Sequence, residues 1–587
     1  MVVAERLTKV LWYGLCLAFC ADSGLFVYLS LSQTLLGGLG VCLLCTVALV
    51  HGLRTGTSPA PNGIQRLVVL WLLYMVLHAL FVKSPELYRL LYLTETLQLL
   101  LALSCLTGSG LLKRETAENG LLLMAVLQTG CLTLQALGAV KAYNSLFPLT
   151  GFSENPNVTA VLLAACLPLA ADRIRQGRHT ALLTAAAVLM TVYVVILGCR
   201  TAYLGLAVSV AVRAAFSPRF RKFRSDWSPT VRVLAVLLTL AAVPAGGVWL
   251  YRFKQASADG RILVWKISAA MLREHPEGTG IGMFERDYNL RQGEYFAGGQ
   301  STPRERQNSG TVYMAYNDFL EHGVEGGWPG MLFLAAFYAS LMARALRRGM
   351  ARELSVIAAF SVMSSVSFIC ATVQPWIVLV CHAGFVAGGG TDSRRTGTLR
   401  FPSRVVLTGA LLVLLPVHLT LLSAQIQLGR YQRQAKEGNG IEIGKAEALA
   451  GRIGTSEAYY RFLYGQYMQR KEYRKALGSI RKAACYTSVP DVFFSAFDCC
   501  DRMGQTGNGI PFLLKVRDML PLNLTSRLIL LRWYERNGQE AAASDMAREI
   551  LTAPVKVRNR QGDRIRSYAE AFLCRQASEG NRQKDKP

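Results

Sequence analysis

Two arginines at the borders of long apolar segments are the residues of this chain best suited to bind an anion. Arg200 lies at the junction of two apolar runs, and Arg261 lies near the start of a polar stretch, 252–328, that follows another run. Planar guanidinium groups bind phosphate oxygens through paired hydrogen bonds. Two such groups at one membrane surface could hold a diphosphate and stabilise the charge that develops on it as a leaving group.

A group of acids and bases follows near the end of the same polar stretch. Asp318, Glu321, His322 and Glu325 all lie within residues 316–327. Transfer of a group to a hydroxyl acceptor needs a base that takes the hydroxyl proton, and each of these four side chains could serve. Each could equally be a helix cap or a solvated residue, so the identity of the base stays open at this point.

The elements that must position these residues are apolar. The chain has 587 residues and is 52% hydrophobic, with a mean hydropathy of +0.28. About thirteen apolar runs approach the ~20 residues that cross a bilayer; they are 10–32, 34–53, 64–83, 87–107, 118–140, 157–171, 180–198, 201–216, 231–251, 329–346, 354–372, 374–390 and 403–424. We therefore predict an all-α fold, a polytopic membrane helix bundle of about 12–13 spans. The stretch 252–328 is too long for a simple connection, which indicates a functional loop.

The net charge of +26 is carried in short basic clusters between the apolar runs. Loops rich in Lys and Arg stay cytoplasmic, and with the N-terminus inside, five clusters fall on that side: Lys113 and Arg114; Arg173, Arg175 and Arg178; Arg213, Arg219, Arg221, Lys222 and Arg224; Arg344, Arg347, Arg348 and Arg352; Arg394, Arg395, Arg400 and Arg404. The same count places 141–156, Arg200, the loop 252–328 and the C-terminal region outside. This alternation accounts for the basic charge without nucleic acid.

The two arginines have different expected positions on their helices. Arg200 is predicted at a helix N-terminus, where backbone N–H groups form a ready anion site. Asp259 is predicted to cap a helix from Arg261 to about Arg273, with Arg261 in the first turn and Trp265 one turn later on an apolar face. In each case a snorkelling or solvated arginine is the alternative.

The C-terminal region, about 430–575, carries a helical repeat. Tyr460, Phe494 and Leu528 are spaced by 34 residues, and Gly504 and Gly538 keep that spacing at predicted turns. A period of 34 with helix–turn–helix units is typical of tetratricopeptide (TPR) repeats. We predict a TPR-like α-solenoid followed by a disordered tail, 576–587.

The sequence indicates neither a cofactor nor a metal. Ten of the fourteen cysteines lie in apolar segments, where cysteine behaves as a small hydrophobic residue, and the spacing of Cys and His residues suggests no metal site. Residues 278–282 are rich in glycine but lack the preceding strand and the Lys-Ser/Thr of a nucleotide-binding loop, so they are predicted to form a tight turn. Asp22, Glu95 and His382 lie within apolar spans, where ionisable groups are usually paired or functional.

Four segments, taken in order, resemble the bacterial O-antigen ligase and O-antigen polymerase superfamily, which includes protein O-oligosaccharyltransferases. The similar segments are Thr150-Gly151-Phe152-Ser153-Glu154-Asn155-Pro156-Asn157; Cys199-Arg200-Thr201-Ala202; Gly260-Arg261 through Trp265 with Pro276 and Gly280-Ile281-Gly282-Met283-Phe284; and Ala315-Tyr316-Asn317-Asp318-Phe319-Leu320 with Glu325-Gly326-Gly327. The resemblance covers most of residues 1–425, and some members of the superfamily also carry a C-terminal TPR-like domain.

The resemblance implies that Arg200 and Arg261 bind the diphosphate of an undecaprenyl-linked glycan without a metal. It also implies substrate-binding roles for Asn155, Asn157 and Trp265. Ligases of the superfamily use a histidine directly before the asparagine that corresponds to Asn317.

In this chain Tyr316 takes the place of that histidine, so either His322 or a carboxylate takes that role, or the acceptor chemistry differs. The candidate catalytic residues are therefore Arg200, Arg261, Tyr316, Asn317, Asp318, His322 and Glu325.

The expected protein is an inner-membrane glycosyltransferase with its N-terminus in the cytoplasm. Its predicted parts are membrane helices (1–251 and 329–424), a periplasmic catalytic loop (252–328) and a periplasmic C-terminal domain (430–575). It would move a glycan from undecaprenyl diphosphate to a hydroxyl of a lipid, a glycan or a protein, which leaves ligase, polymerase and oligosaccharyltransferase open. The alternatives from other classes are a flippase and a non-catalytic scaffold that binds a protein partner through the TPR-like domain.

Overall fold

The computed structural model describes residues 2–22, 24, 26, 28–55, 62–82, 86–177, 180–231, 255–299, 301–388, 402–555 and 559–584. Within these ranges the chain is helical and has no β-strand. It divides into two compact units: the first contains 1–250 and 316–441, and the second contains 251–315 and 442–587. The predicted loop 252–328 is thus shared between the units, and Tyr316 is the residue at which the chain returns to the first unit.

The helices of the first unit are α1 (Val2–Ala18), α2 (Leu29–Thr55), α3 (Gly63–Phe81), α4 (Leu87–Gly108), α5 (Arg114–Ala136), α6 (Pro156–Arg175), α7 (Thr180–Leu197), α8 (Arg200–Ala215) and α9 (Pro218–Ser225). The second unit contributes α10 (Gln255–Glu274), α11 (Phe284–Ala297) and α12 (Pro303–Asn308). The chain then returns to the first unit with α13 (Asp318–Arg347), α14 (Ala351–Ser364), a 3₁₀ turn (Ile369–Ala371), α15 (Val373–Gly388) and α16 (Pro402–Lys436).

Eight segments of the described chain are long and apolar enough to cross a membrane: α2 to α7, α13 and residues Leu411–Lys436 within α16. The all-α membrane bundle is thereby confirmed. The higher predicted count also included α8, α14 and α15, which have 16, 14 and 16 residues. The predicted span 10–32 is wrong as a single helix because α1 ends at Ala18 and α2 begins at Leu29; most of the predicted span 231–251 lies outside the described residues.

Apolar side chains on the outside of the first unit fit a lipid environment. On α7, Leu182 is 76% exposed and Val195 is 62% exposed, and on α3, Leu80 is 71% exposed. Water penalises such surfaces, whereas hydrocarbon does not. The outer surface of this helix bundle is therefore apolar at these positions, as expected for a surface in contact with lipid.

Four of the predicted basic clusters meet at one end of the first unit. The Arg173 guanidinium lies 3.0 Å from the Glu118 carboxylate, and Asp172 accepts from Arg213 at 2.5 Å. Arg352 approaches the same aspartate at 3.4 Å. Further contacts at this end join Arg114 to Glu353 and the Arg344 Nε to the Val386 carbonyl at 2.9 Å. These contacts fit the expectation that the clusters share one membrane side; Arg178, Arg394, Arg395 and Arg400 lie outside the described residues.

The helix α13 contains a sharp bend. Gly326 and Gly327 have non-helical backbone angles, with φ +65° at Gly327, and Pro329 follows. Proline removes a backbone donor and clashes with the preceding turn, so the bend has an identifiable cause. Residues 318–325 form a short first arm, which the Tyr74 hydroxyl anchors by donating to the Gly326 carbonyl at 2.6 Å.

The C-terminal part of the second unit consists of successive helix pairs. Two short helices, α17 (Ile443–Glu447) and α18 (Ala450–Ile453), precede the pairs α19 (Glu457–Gln469) with α20 (Tyr473–Ala483), α21 (Pro490–Arg502) with α22 (Thr506–Met519), and α23 (Leu524–Arg536) with α24 (Glu540–Thr552); α25 (Arg560–Lys584) closes the series. The predicted domain start at 430 is corrected, because α16 continues to Lys436. Likewise α25 extends to Lys584, through most of the tail 576–587 that was predicted to be disordered. Its earlier residues Ile565, Ala569 and Phe572 pack against α23 and α24.

The turns between paired helices share one backbone feature. Gly504 and Gly538 have φ values of +70° and +67°, and Lys471 stands at the corresponding place in the first pair with φ +60°. Glycine adopts this region without the steric penalty that other residues incur. The predicted turn positions of the two glycines are confirmed, whereas assignment of the pairs to the tetratricopeptide family stays a prediction.

Candidate functional site

Several helices of the first unit begin at the end opposite the basic clusters. Arg89, Asn155, Arg200 and Asp318 lie in or directly before the first turns of α4, α6, α8 and α13. The far ends of α6 and α8 hold Asp172 and Arg213, which are paired. The far end of α4 contacts that of α15, where the Thr107 hydroxyl donates to the Gly384 carbonyl at 3.0 Å. The positive ends of the four helix dipoles lie here and favour anions, so this end is electrostatically suited to a phosphate group.

Arg200 is the first residue of α8, directly after the N-cap Cys199. The predicted position at a helix N-terminus is therefore confirmed. The Cys199 side chain makes no capping hydrogen bond. The Arg200 guanidinium and the N-terminal backbone amides of α8 thus place positive charge in the same first turn, which is an arrangement that binds anions.

Arg89 and Glu321 form an ion pair between α4 and the first arm of α13. Arg89 Nη2 lies 3.1 Å from Glu321 Oε1, and the side chains are only 15% and 6% exposed. The guanidinium also lies over the Tyr92 ring, 5.6 Å from its centroid, and interacts electrostatically with Glu325 and Asp318. Arg89 thus joins α4 directly to the predicted catalytic segment.

The side chains of Asp318 and His322 are both buried and hydrogen-bonded. Asp318 is fully buried, and its Oδ2 accepts from the Cys370 backbone N–H at 3.0 Å. His322 Nδ1 lies 2.9 Å from the Asp318 carbonyl. Because a carbonyl only accepts, Nδ1 carries the hydrogen. The imidazole packs 5.8 Å from the Trp71 ring, so one face of it is occupied by α3.

Tyr316 and Asn317 shape the entry into α13. Asn317 is the N-cap, and its Oδ1 accepts from the Leu320 N–H at 3.1 Å. Tyr316 has φ +52°, a left-handed conformation that is uncommon for a residue other than glycine. Its ring meets Phe368 edge-on with centroids 5.8 Å apart. A strained residue at a helix start is typical of a functional segment.

The segment 150–157 owes its sequence mainly to packing. Gly151 has φ +64°, and a Cβ there would lie 2.3 Å from the Gln128 side-chain oxygen. Gln135 accepts from the N–H groups of Thr150 and Gly151 at 2.9 Å each. Asn155 is the N-cap of α6 and accepts from the Asn157 N–H at 2.9 Å. Asn155 therefore has a capping role, and a contact of Asn155 or Asn157 with substrate stays a prediction.

Arg261 lies in the second unit, within α10. The structure corrects its predicted position in the first turn, because α10 already includes Gln255. Asp259 does not cap this helix; it pairs instead with Arg304 at 2.7 Å. Trp265 is half-buried and donates through Nε1 to the Ala315 carbonyl at 3.0 Å. The proximity of Arg261 to Arg200 stays a prediction.

Lys266, one turn beyond Arg261, belongs to a polar group that fixes α10 to α12. Its Nζ lies 2.7 Å from both Glu305 Oε1 and the Tyr295 hydroxyl. Burial alone would raise the pKa of Glu305, but hydrogen bonds from Lys266, Thr302 and Tyr295 outweigh it and lower the pKa from 4.5 to about 2. The carboxylate thus stays ionised under all ordinary conditions.

The depressed pKa of Glu305 predicts a specific acid sensitivity of the loop. The stabilisation that ionised Glu305 gives to the loop is fully present above its unfolded pKa of 4.5 and is lost as the pH falls towards about 2. Replacing Lys266 with Met should raise the pKa of Glu305. The loop should then lose its ordered structure at a higher pH, about 4–5. Hydrogen exchange of residues 301–308 against pH would measure this; identical profiles for the variant and the parent chain would contradict it.

Arg89 is the site residue that the sequence analysis missed. It stands near the start of an apolar span, 87–107, at the end predicted to be external. External arginines are less expected than cytoplasmic ones, and the argument that singled out Arg200 applied equally here.

Among the described residues, no group of three or more His, Cys, Asp and Glu side chains is arranged to hold a metal ion.

The comparison with known families agrees with the position of these residues. Residues 185–335 match a family model described as O-antigen ligase. The match includes Arg200, Arg261 and the first arm of α13, but not Arg89 or Asn155. No curated protein matches the chain. This match confirms the resemblance recognised from the sequence: residues 185–335 are similar to the O-antigen ligase family, within a helical membrane protein.

Proposed function

We propose that this protein transfers a glycan from an undecaprenyl diphosphate carrier to a hydroxyl acceptor on the periplasmic face of the inner membrane. One observation carries the proposal: within the O-antigen ligase domain, Arg200 and the acids of α13 stand at the same end of the bundle, opposite the paired basic clusters. Positive helix termini and a guanidinium suit the diphosphate, and nearby carboxylates suit removal of the acceptor proton.

In the proposed reaction the acceptor oxygen attacks the anomeric carbon of the lipid-linked sugar. The bond between that carbon and the phosphate oxygen breaks, and the diphosphate leaves with the electron pair. Arg200 and Arg261 stabilise the developing negative charge, and the hydroxyl proton passes to a carboxylate of the protein. One bond forms at the anomeric carbon, one bond breaks there, and the proton is accounted for, so the step as written uses no co-reactant.

We assign the base to Glu321 in this proposal. Arg89 contacts this carboxylate directly, at 3.1 Å, and so fixes its orientation in the first arm of α13. Asp318 is less suited because its Oδ2 already accepts a hydrogen bond from the Cys370 backbone N–H. Tyr316, at the place of the superfamily histidine, would then contact the acceptor rather than take its proton.

Glu321→Gln should lower the transfer rate by about a hundredfold, because the amide keeps the shape but cannot accept the proton. Glu570→Gln, on an exposed side chain of α25, is the matched control and should leave the rate unchanged. The measurement is transfer by purified protein from a lipid-linked donor without a membrane gradient. Full activity of Glu321→Gln would remove that residue from the role of base.

The same assay separates the possible acceptors and the rival classes. Lipid A core, a second lipid-linked repeat unit and a Ser/Thr-containing peptide are supplied in turn, and the acceptor that gains the glycan distinguishes ligase, polymerase and oligosaccharyltransferase. Flipping of the donor across a vesicle bilayer with no glycan transfer to any acceptor would refute the proposed function and support a flippase.

A further inference from the structure

The helix α11 of the loop is joined to the C-terminal helix pairs by a buried polar contact zone. Gln292 is fully buried, and its Nε2 donates to the Met519 carbonyl at 2.9 Å and to the Gly310 carbonyl at 3.1 Å. Glu285 Oε1 accepts from the Ser488 backbone N–H at 3.2 Å and from its hydroxyl at 3.0 Å. We call these contacts, from Glu285 and Gln292 to Ser488 and Met519, the loop seam.

Close packing accompanies the hydrogen bonds of the loop seam. A Cβ built on Gly293 would lie 3.1 Å from the Met519 Cγ and 3.3 Å from its backbone N. Leu290 of α11 packs against Phe493, Val516 and Met519 of the helix pairs. Any side chain at this position would press on Met519, so α11 packs closely against the end of α22.

The segment that leads into α11 explains the motif Gly280-Ile281-Gly282-Met283-Phe284. Gly280 and Gly282 have φ values of +117° and +79°, so the chain makes the tight turn that was predicted there. Phe284 is buried and stacks on Tyr288, with ring centroids 5.4 Å apart. The turn therefore directs α11 onto the helix pairs immediately after α10 ends.

The opposite face of α11 holds α10, the helix that carries Arg261. Arg291 binds the Glu274 carboxylate with both ends of its guanidinium, at 2.6 and 3.0 Å. Tyr295 receives the Lys266 ammonium at 2.7 Å. Bidentate pairs fix direction as well as distance. A continuous path of contacts thus runs from the C-terminal helix pairs through α11 to the helix of Arg261.

We propose that the C-terminal helix pairs hold the donor-binding arginine in place, with Gln292 as a positioning residue for Arg261. The proposal rests on the proposed function for the role of Arg261 but not for the seam itself. It gives the C-terminal domain a part in donor binding that is separate from any recognition of a protein or polymer. A buried polar group left without its partner is costly, which is why one side chain can control the order of the loop.

The first test is hydrogen exchange on the full-length protein in detergent. Gln292→Leu keeps the volume but removes the donor, and exchange in residues 255–274 should become at least about tenfold faster. Residues 457–469 and 351–364 should not change. Gln539→Leu is the matched control, because Gln539 is exposed and its side chain makes no capping bond. Unchanged exchange in 255–274 would overturn the proposal.

A second variant distinguishes a local effect at the loop seam from a general loss of folding. Gly293→Leu places a side chain against Met519 without removing any hydrogen bond and should produce the same local change. Gly478→Leu is its control, since Gly478 lies in α20 and has open space at the Cβ position. If Gly293→Leu and Gly478→Leu behave alike, the seam does not order α10.

Kinetics distinguish positioning from simple damage. A misplaced Arg261 weakens donor binding, so Gln292→Leu should raise the KM for the lipid donor by about tenfold. A fraction of unfolded protein would instead lower kcat and leave KM unchanged, which would count against positioning. If Arg261→Ala keeps normal kinetics while Gln292→Leu still loosens 255–274, the proposed function fails but the structural role of the seam stands.

Discussion

Alanine at Arg200 or at Arg261 should reduce glycan transfer by about a thousandfold, because each change removes a donor that stabilises the leaving diphosphate. Lysine at either position should recover only part of the rate, since it supplies the charge but not the planar fork. The measurement is initial rate with purified lipid-linked donor, together with donor binding. We expect the loss at Arg200 to be as large as that at Arg261, although the two arginines come from different units of the structure.

Two other arginines provide controls for this experiment. Arg273 on α10 and Arg347 on α13 each donate through Nε to the carbonyl four residues earlier on their own helix, and both are exposed. Alanine at either position removes the same side chain without reaching the candidate site, so activity should be retained. Full activity of both Arg200→Ala and Arg261→Ala, with normal insertion in the membrane, would refute the diphosphate clamp.

The second large effect concerns the stability of the membrane bundle. Glu95 on α4 and His418 on α16 form a buried pair, with 2.6 Å between Glu95 Oε1 and His418 Nδ1. The other imidazole nitrogen donates to the Leu35 carbonyl of α2. A Cβ on Gly38 would lie 2.4 Å from both the carboxylate and the imidazole, so glycine is required for this approach. The pair ties three helices together inside the bundle.

His418→Leu should destabilise the folded protein by about 3–5 kcal/mol, because it leaves the Glu95 carboxylate buried without a partner. The denaturant midpoint of the detergent-solubilised protein measures this change. Replacing both residues, as Glu95→Leu with His418→Leu, removes the unpaired group and should recover much of the loss. A double variant that is less stable than His418→Leu alone would contradict this account of the pair.

The sequence predicted the architecture because hydrophobic runs of bilayer length are local signals. Helical class, the basic clusters and the turns at Gly504 and Gly538 could all be read without tertiary information. Helix limits were less predictable. Nothing local stopped the predicted span 10–32, yet the helix ends at Ala18, and nothing showed that the polar helix α10 begins before Asp259.

The partners of charged side chains depend on contacts between distant parts of the chain. Glu95 was recognisable as an ionisable group in an apolar span, but its partner lies 323 residues away. Arg89 and Glu321 are separated by 232 residues, so no spacing rule could join them. The loop seam similarly connects Gln292 with Met519, 227 residues later.

The amino-acid sequence by itself predicted a helical membrane protein that resembles the O-antigen ligase superfamily, and it singled out Arg200, Arg261 and the segment 316–327. Apolar length, charge placement and short motifs are properties of neighbouring residues. Only the tertiary structure decided that Arg89 faces Glu321, that Asp259 binds Arg304, and that the loop is built onto the C-terminal helices. The physical reason is that side-chain pairing and burial follow from how helices pack, and packing joins residues that the sequence keeps far apart.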